Sequence, residues 1–259
     1  MKKNFMTALV TLMAISMTSC LSIGYSNKDN TPTQVPQINQ VTTMSPFTEV
    51  DIAGAFKIIY EQSDEYSVRI DAPEQAVKEM TVYVKDQELR IRQSVSKPTV
   101  SFKDVKIHIT SPIIKDIELA GSGVFTASNR INSTDDIDID VAGSGNVLLA
   151  DVTCKDADLD IAGSGNIEIG HLAATVVNAD IAGSGNINLG ILACTKFDID
   201  VAGSGDVTCN NITADRVHTD IAGSGNVTLK GSIKTHTQEI AGSGKVNIDT
   251  LKAEEQTIN

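Results

Sequence analysis

The sequence contains one short phrase, Ala-Gly-Ser-Gly, seven times at a nearly constant spacing. Successive copies begin 22, 20, 20, 20, 20 and 19 residues apart, at Ala120, Ala142, Ala162, Ala182, Ala202, Ala222 and Ala241. A period of this length is typical of repeat proteins, in which each repeat stacks only on its neighbours. The repeat therefore restricts the chain to a solenoid.

Within each period, apolar and polar residues alternate as they do in β-strands. Leu159 and Ile161, for example, alternate with Asp158 and Asp160. Each period holds about three such runs, and one period alone has too small a core to fold, whereas stacked periods bury a continuous apolar column. The pattern predicts an all-β fold, a parallel β-helix with turns ~4.8 Å apart and a length of roughly 30 Å.

The Gly-Ser-Gly part of the phrase predicts a sharp corner between strands, because glycine accepts a positive φ without steric cost. A phosphate-binding loop would need a helix N-terminus or a following Lys, and this context is missing from the repeat. Asn or Asp follows five of the phrases, so stacked asparagines could form a ladder of side-chain amides. The glycines assigned to these corners are Gly143, Gly145, Gly163, Gly165, Gly183, Gly185, Gly203, Gly205, Gly223 and Gly225.

The N-terminal residues 1–19 are predicted to be an export signal rather than part of the fold. Lys2 and Lys3 precede a short apolar run, and the small residues before Cys20 have the layout of a cleavage site. This segment resembles a bacterial lipoprotein signal with Cys20 as the lipidated residue; a plain secretory signal is the alternative. Residues 20–45 are rich in Ser, Thr, Asn, Gln and Pro and are predicted to be a flexible tether with a reach of roughly 25–30 Å.

The folded part is predicted to consist of a β-rich segment, residues 46–119, and the repeat column, residues 120–259. The first segment contains a degenerate copy of the phrase at Ile52–Ala55, a short helix over Pro73–Met80 and a hairpin turning at Lys85–Glu88. We expect it to cover one end of the column and the polar tail, 251–259, to cover the other, because uncovered solenoid ends expose unpaired strands.

The combination of Phe-Thr-Glu-Val-Asp-Ile-Ala-Gly-Ala-Phe-Lys-Ile (47–58) with the later Asp-Ile-Ala-Gly-Ser-Gly-Asn repeats resembles the GIN head-domain family of auto-transporter adhesins. The resemblance covers residues 45–250. It implies an all-β repeat fold and an exported, often lipid-anchored protein of the kind common in Bacteroidetes. It supplies no catalytic residues.

One repeat position carries a carboxylate in consecutive periods, at Asp140, Asp160, Asp180, Asp200 and Asp220. Stacked at ~4.8 Å, these like charges would destabilise one another unless something offsets them. One interpretation is structural: each carboxylate accepts backbone N–H groups from the adjoining corner. The other is a row of weakly bound Ca²⁺ ions, although the spacing matches no known calcium loop.

The remaining residues give little indication of catalysis. Cys154, Cys194 and Cys209 occupy apolar repeat positions, and Cys154 and Cys194 lie two turns apart, beyond disulfide reach, so we expect free thiols. The sequence contains no His-Glu-x-x-His zinc motif and no Gly-x-Ser-x-Gly nucleophile motif. No cofactor is expected apart from the weak Ca²⁺ considered above.

These observations predict a non-enzymatic, lipid-anchored protein of the cell envelope that presents a rigid β-solenoid to a protein or glycan partner. We expect an outer-membrane lipoprotein, with its surface or periplasmic location left open. The net charge of −12, which becomes −14 without the signal, argues against nucleic acid as a partner. The alternatives are a polysaccharide-binding or polysaccharide-active β-helix, and a periplasmic lipoprotein with a signalling or structural role.

Overall fold

The structure is a computed structural model that describes residues 41–94, 100–248 and the backbone of 252–258. The predicted signal, Cys20 and most of the predicted tether lie outside the described residues. In the described part the chain forms nineteen strands and one short helix, α1 (Glu74–Val77). The strands are β1 (Val41–Thr43), β2 (Glu49–Gly54), β3 (Lys57–Gln62), β4 (Ser67–Asp71), β5 (Met80–Lys85), β6 (Glu88–Gln93), β7 (Lys106–Ser111), β8 (Asp116–Gly121), β9 (Val124–Asn132), β10 (Ile137–Gly143), β11 (Asn146–Thr153), β12 (Asp156–Gly163), β13 (Asn166–Ala173), β14 (Val176–Gly183), β15 (Asn186–Gly203), β16 (Asp206–Gly223), β17 (Asn226–Gly242), β18 (Lys245–Asn247) and β19 (Lys252–Ile258).

The repeats form a parallel β-solenoid of about seven turns, which confirms the predicted fold class. Each turn pairs residue for residue with the turn before it, as in Asp140 with Asp160 and Asp160 with Asp180. The three predicted runs per period are joined into fewer, longer strands. β11 continues around one corner, where its pairing with β9 shifts between Leu149 and Asp151.

The inward side chains of successive turns build one core along the column, which is apolar except near its C-terminal end, where Thr219 and His236 are buried. Leu159, Ile161 and Ile167 are each 0% exposed, and the stacked residues of neighbouring turns are buried in the same way. The core is continuous because each inward residue packs on its equivalent one turn away, so no single period needs a core of its own.

The segment before the repeats extends the column and then caps it. The predicted degenerate phrase lies in register with the first full copy: Ala53 pairs with Ala120 and Gly54 with Gly121. The predicted hairpin is confirmed as β5–β6, with Asp86 and Gln87 at positive φ in its turn. β5 ends one face of the column by pairing antiparallel with β6, and β4 and β1 end another face with antiparallel pairings.

The ordered fold reaches into the segment that the sequence assigns to the tether. β1 pairs antiparallel with β4, and the following Met44 is only 4% exposed. At the other end, β19 pairs with β17 in parallel, so the tail adds a further strand to the column. Polar composition alone does not reveal these two short pairings.

The two glycines of each phrase solve different steric problems. The first lies at a positive φ, which is +136° at Gly183. The second, such as Gly185, lies outside this left-handed region, contrary to our expectation for the corner, and is required by close packing: a Cβ atom there would lie 2.3 Å from the carbonyl oxygen of Gly165. Glycine is therefore needed twice, once for backbone conformation and once for space.

We expect Gly183→Ala to destabilise the column by more than about 1 kcal/mol, because alanine disfavours the positive φ. Its Cβ would also lie 2.2 Å from the Gly163 carbonyl oxygen, which accepts the N–H of Ser184 at 2.8 Å. The measurement is the urea midpoint of the full chain. Ser184→Ala, at the exposed residue next to it, is the matched control, and equal midpoints for the two variants would contradict the steric explanation.

Candidate functional site

The most distinctive outer surface carries two neighbouring columns of acidic side chains, which we call the acidic ladder. Its first column contains the five predicted aspartates and is longer than predicted, since Glu118 precedes them and Glu239 follows them in register. The second column lies two residues earlier in each turn. The ladder consists of Glu118, Asp140, Asp160, Asp180, Asp200, Asp220 and Glu239 in the first column and Asp116, Asp138, Asp158 and Asp198 in the second.

The serine N–H groups of the corners do not donate to the ladder carboxylates, as the first interpretation expects. The corner N–H groups donate to the first glycine of the previous turn instead: Ser144 to Gly121 and Ser164 to Gly143, at 2.8 and 2.7 Å. For the serine N–H groups of the corners, the predicted donation to the carboxylates is therefore wrong. The exact repeat of the glycine carbonyl one turn earlier provides a competing acceptor, which a single period does not show.

Burial and like charge both favour the protonated form of the ladder. Burial against neighbouring turns, followed by the charges of Asp140 and Asp180, raises the pKa of Asp160 to about 9. The same effects raise the pKa of Asp140 to about 6 and that of Asp116 to about 7. Asp116 also has a buried carboxylate oxygen, Oδ1, without a hydrogen-bond partner in the described part of the chain. The ladder thus holds carboxyl groups that remain partly protonated near neutral pH.

Cationic side chains lie near the two ends of the ladder. Arg92 pairs with Asp51, which stacks next to Glu118, and Lys196 pairs with Asp198. His218 stands in the second column, where its Nε2 lies 3.1 Å from Asp220 Oδ1 but outside hydrogen-bond geometry. His218 was not predicted from the sequence, because its place in the second column becomes visible only when the turns are aligned in register.

The asparagines after the phrases form the predicted amide ladder. Asn166 Nδ2 donates to Asn146 Oδ1 at 2.7 Å, and Asn186 Nδ2 donates to Asn166 Oδ1 at 2.9 Å. Asn226 continues the column by donating to Asp206 at 2.9 Å. An amide has both a donor and an acceptor, so identical side chains can stack without an unsatisfied group.

The cysteines of the column are free and poorly suited to nucleophilic chemistry. Cys154 and Cys209 are buried, and Cys194 is partly exposed, which is less burial than its sequence position predicts. Burial raises the pKa of Cys154 and of Cys194 to about 12 and that of Cys209 to about 11. The reactive thiolate form is therefore disfavoured at all three.

Neither a metal cluster nor a membrane-spanning helix is found in the described residues. No group of three or more His, Cys, Asp or Glu side chains there is arranged to hold a metal ion. The one helix in the same part of the chain, α1, does not have the length and apolarity needed to cross a membrane.

The repeated corners, the capped column and the outward polar ladders define a class of protein: a β-solenoid with flat, repetitive outer faces. The chain matches the family model described as "Putative auto-transporter adhesin, head GIN domain" over residues 46–211 and 190–259. It belongs to this GIN head-domain family, as the resemblance of its sequence implies. No curated protein matches it.

Solved structures share the fold. A crystal structure of a "putative adhesin" from Bacteroides fragilis superposes with a TM-score of 0.71 at 25% identity, over 81% of this chain and 95% of that one. A "putative adhesin" and a "putative lipid binding protein" from Parabacteroides distasonis each give a TM-score of 0.61, at 22% and 24% identity, over 84% of this chain and 95% of theirs. The family and the first of these relatives support an adhesin-like binding protein of the cell envelope.

Removing the central amide of the asparagine ladder should destabilise the column. Asn166→Ala breaks two hydrogen bonds, and we expect a loss of about 2 kcal/mol from a typical value of about 1 kcal/mol for each. Urea unfolding of the full chain measures this loss of stability. Asn188→Ala, at an exposed position of the same face, is the control. A loss of stability as large in the control would show that the ladder contributes nothing specific.

We expect Ca²⁺ to leave the protein unchanged. The ladder carboxylates lie in lines along a flat face, whereas Ca²⁺ is bound by six to eight oxygens that surround it. Isothermal calorimetry with CaCl₂ should give no binding heat, and the melting temperature should be the same with and without Ca²⁺. A Ca²⁺-dependent rise in melting temperature that is lost in Asp160→Asn would contradict this expectation.

Proposed function

We propose that this protein is a non-enzymatic lipoprotein of the outer membrane, lipidated at Cys20, that displays its solenoid as a rigid binding scaffold for a protein or glycan on a facing surface. The observation that carries the proposal is the column itself. Its turns are fixed by in-register strand pairing, so the same outer side chains recur along flat faces at one spacing. Such a surface suits a partner that makes many shallow contacts.

The known relatives and the chemistry of the described residues favour binding over catalysis. The family description and the three solved structures name adhesins and a lipid binding protein. The thiols are held in their unreactive form, and the ladder carboxylates lie half-buried along the outer side of the sheet. Catalysis by paired carboxylates normally requires a cleft that excludes water and fixes a substrate.

The anchor and the location are tested together in cells that express the full chain. Protease is added to intact and to permeabilised cells, and an antibody against residues 46–259 detects what remains. We expect the signal to disappear from intact cells, because the tether would hold the column outside the membrane. Protection until the cells are permeabilised would place the column in the periplasm and contradict adhesion.

The matched variant is Cys20→Ser, which retains the folded part but lacks the thiol that would be lipidated. We expect it to leave the membrane fraction, since no other segment in the described residues can anchor the chain in a bilayer by a helix. An unchanged membrane fraction would contradict lipidation at Cys20. Binding of the purified full chain to a glycan panel and to immobilised matrix proteins then identifies the partner class.

A further inference from the structure

Several columns show how close side chains come when they occupy the same repeat position in consecutive turns. Asn166 donates to Asn146 at 2.7 Å, and Asn178 donates to Asp158 at 2.5 Å, within the second column of the acidic ladder. In each contact an amide N–H supplies the donor. The geometry therefore brings stacked polar groups to hydrogen-bond distance, and each such contact needs one donor between the two residues.

The N-terminal half of the acidic ladder places carboxyl groups directly on other carboxyl groups, and only at its last turn does an amide, that of Asn178, donate to Asp158. Glu118, Asp140 and Asp160 are consecutive in the first column, and Asp116, Asp138 and Asp158 are consecutive beside them. Two ionised carboxylates in such a contact have only acceptors and repel each other, whereas a carboxylic acid and a carboxylate share a proton in a strong hydrogen bond. The corner N–H groups, which could have replaced that proton, donate to glycine carbonyls.

The charged groups around Asp160 are acidic. Asp160 faces Asp138, Asp140, Asp158 and Asp180 from its own and both adjacent turns. The cations that approach the ladder lie near other residues, Glu118 among them. They are Arg92 and Arg90 near Glu118, Lys155 with Asp136 and Asp156, Lys196 with Asp198, and His218 with Asp220; the other acidic neighbours are Glu49 and Glu88.

We propose that the folded column holds protons shared between neighbouring carboxyl groups of the acidic ladder at neutral pH, and that this makes it a pH-responsive element, most stable in acid and loosened as the pH rises. The inference does not depend on the proposed function. It concerns the protonation of the ladder carboxyl groups, whatever the protein binds.

The sign of the effect follows from the direction of the pKa shifts. An aspartate in an unfolded chain has a pKa of about 3.9. Burial and neighbouring carboxylates raise the folded pKa to about 6 at Asp140, about 7 at Asp116 and about 9 at Asp160, as values of a coupled set. The folded state therefore binds more protons between pH 4 and 9, so the stabilisation is complete below pH 4 and is lost as the pH rises through this window.

The test is thermal unfolding of the full chain between pH 5 and pH 9 at constant ionic strength. We expect the wild-type melting temperature to fall by about 4 °C or more across this range. In Asp160→Asn the fall should be smaller and the melting temperature at pH 9 higher than in the wild type, because an amide provides the missing donor without a charge. Asp104→Asn, at an exposed residue before β7, should behave as the wild type.

A second measurement is independent of whether the variant folds well. The infrared band of protonated carboxyl groups should be present in the folded wild type at pH 7 and disappear on unfolding at the same pH. A flat melting profile between pH 5 and pH 9, or an Asp104→Asn profile that changes as much as that of Asp160→Asn, would overturn the proposal. So would the absence of the protonated carboxyl band at pH 7.

Discussion

In-register pairing of each turn with the next is the constraint on which the rest of the structure depends. Backbone hydrogen bonds between parallel strands place equivalent residues ~4.8 Å apart, so every side chain has a copy of itself, or its replacement, directly above and below. This repetition builds the core, because Ile161 stacks on Val141 and Ile181. It also places the carbonyl of one corner glycine so close to the next turn that a Cβ atom does not fit.

Because of the same constraint, polar residues that stack on one another need compatible hydrogen-bonding groups or charges. The column contains three such stacks. Asn146 and Asn166 stack as amides that donate and accept in turn. Arg130, Asp151 and His171 stack with a carboxylate between two basic side chains, and Arg130 Nε lies 2.8 Å from Asp151 Oδ2. The N-terminal half of the acidic ladder instead stacks carboxyl on carboxyl, at Glu118, Asp140 and Asp160, so its stability depends on protons.

The sequence predicted those parts of the fold that repeat, because a property that recurs every 20 residues is visible without coordinates. The period, the inward alternation, the corner glycines and the asparagine ladder are of this kind. Features that depend on the relation between turns were less predictable. The backbone N–H of Ser164 donates to the carbonyl of Gly143 rather than to a carboxylate. His218 lies in the ladder only because of the register between neighbouring turns. β1 depends on a single pairing of three residues that lie far from their partners in the chain.

The contrast between the two ladders bears on what a partner would encounter. The asparagines of the amide ladder, Asn146, Asn166 and Asn186, do not titrate, although Asp206 continues their column and the exposed Glu168 lies on the same face. The acidic ladder changes its charge as protons leave, and it does so on a backbone that the neighbouring turns hold in place. A partner that contacts the asparagines themselves would thus meet the same groups at every pH, whereas a cationic partner on the acidic ladder would bind more tightly as the pH rises. The pH dependence of binding therefore distinguishes which ladder is contacted, because the two ladders share one rigid core.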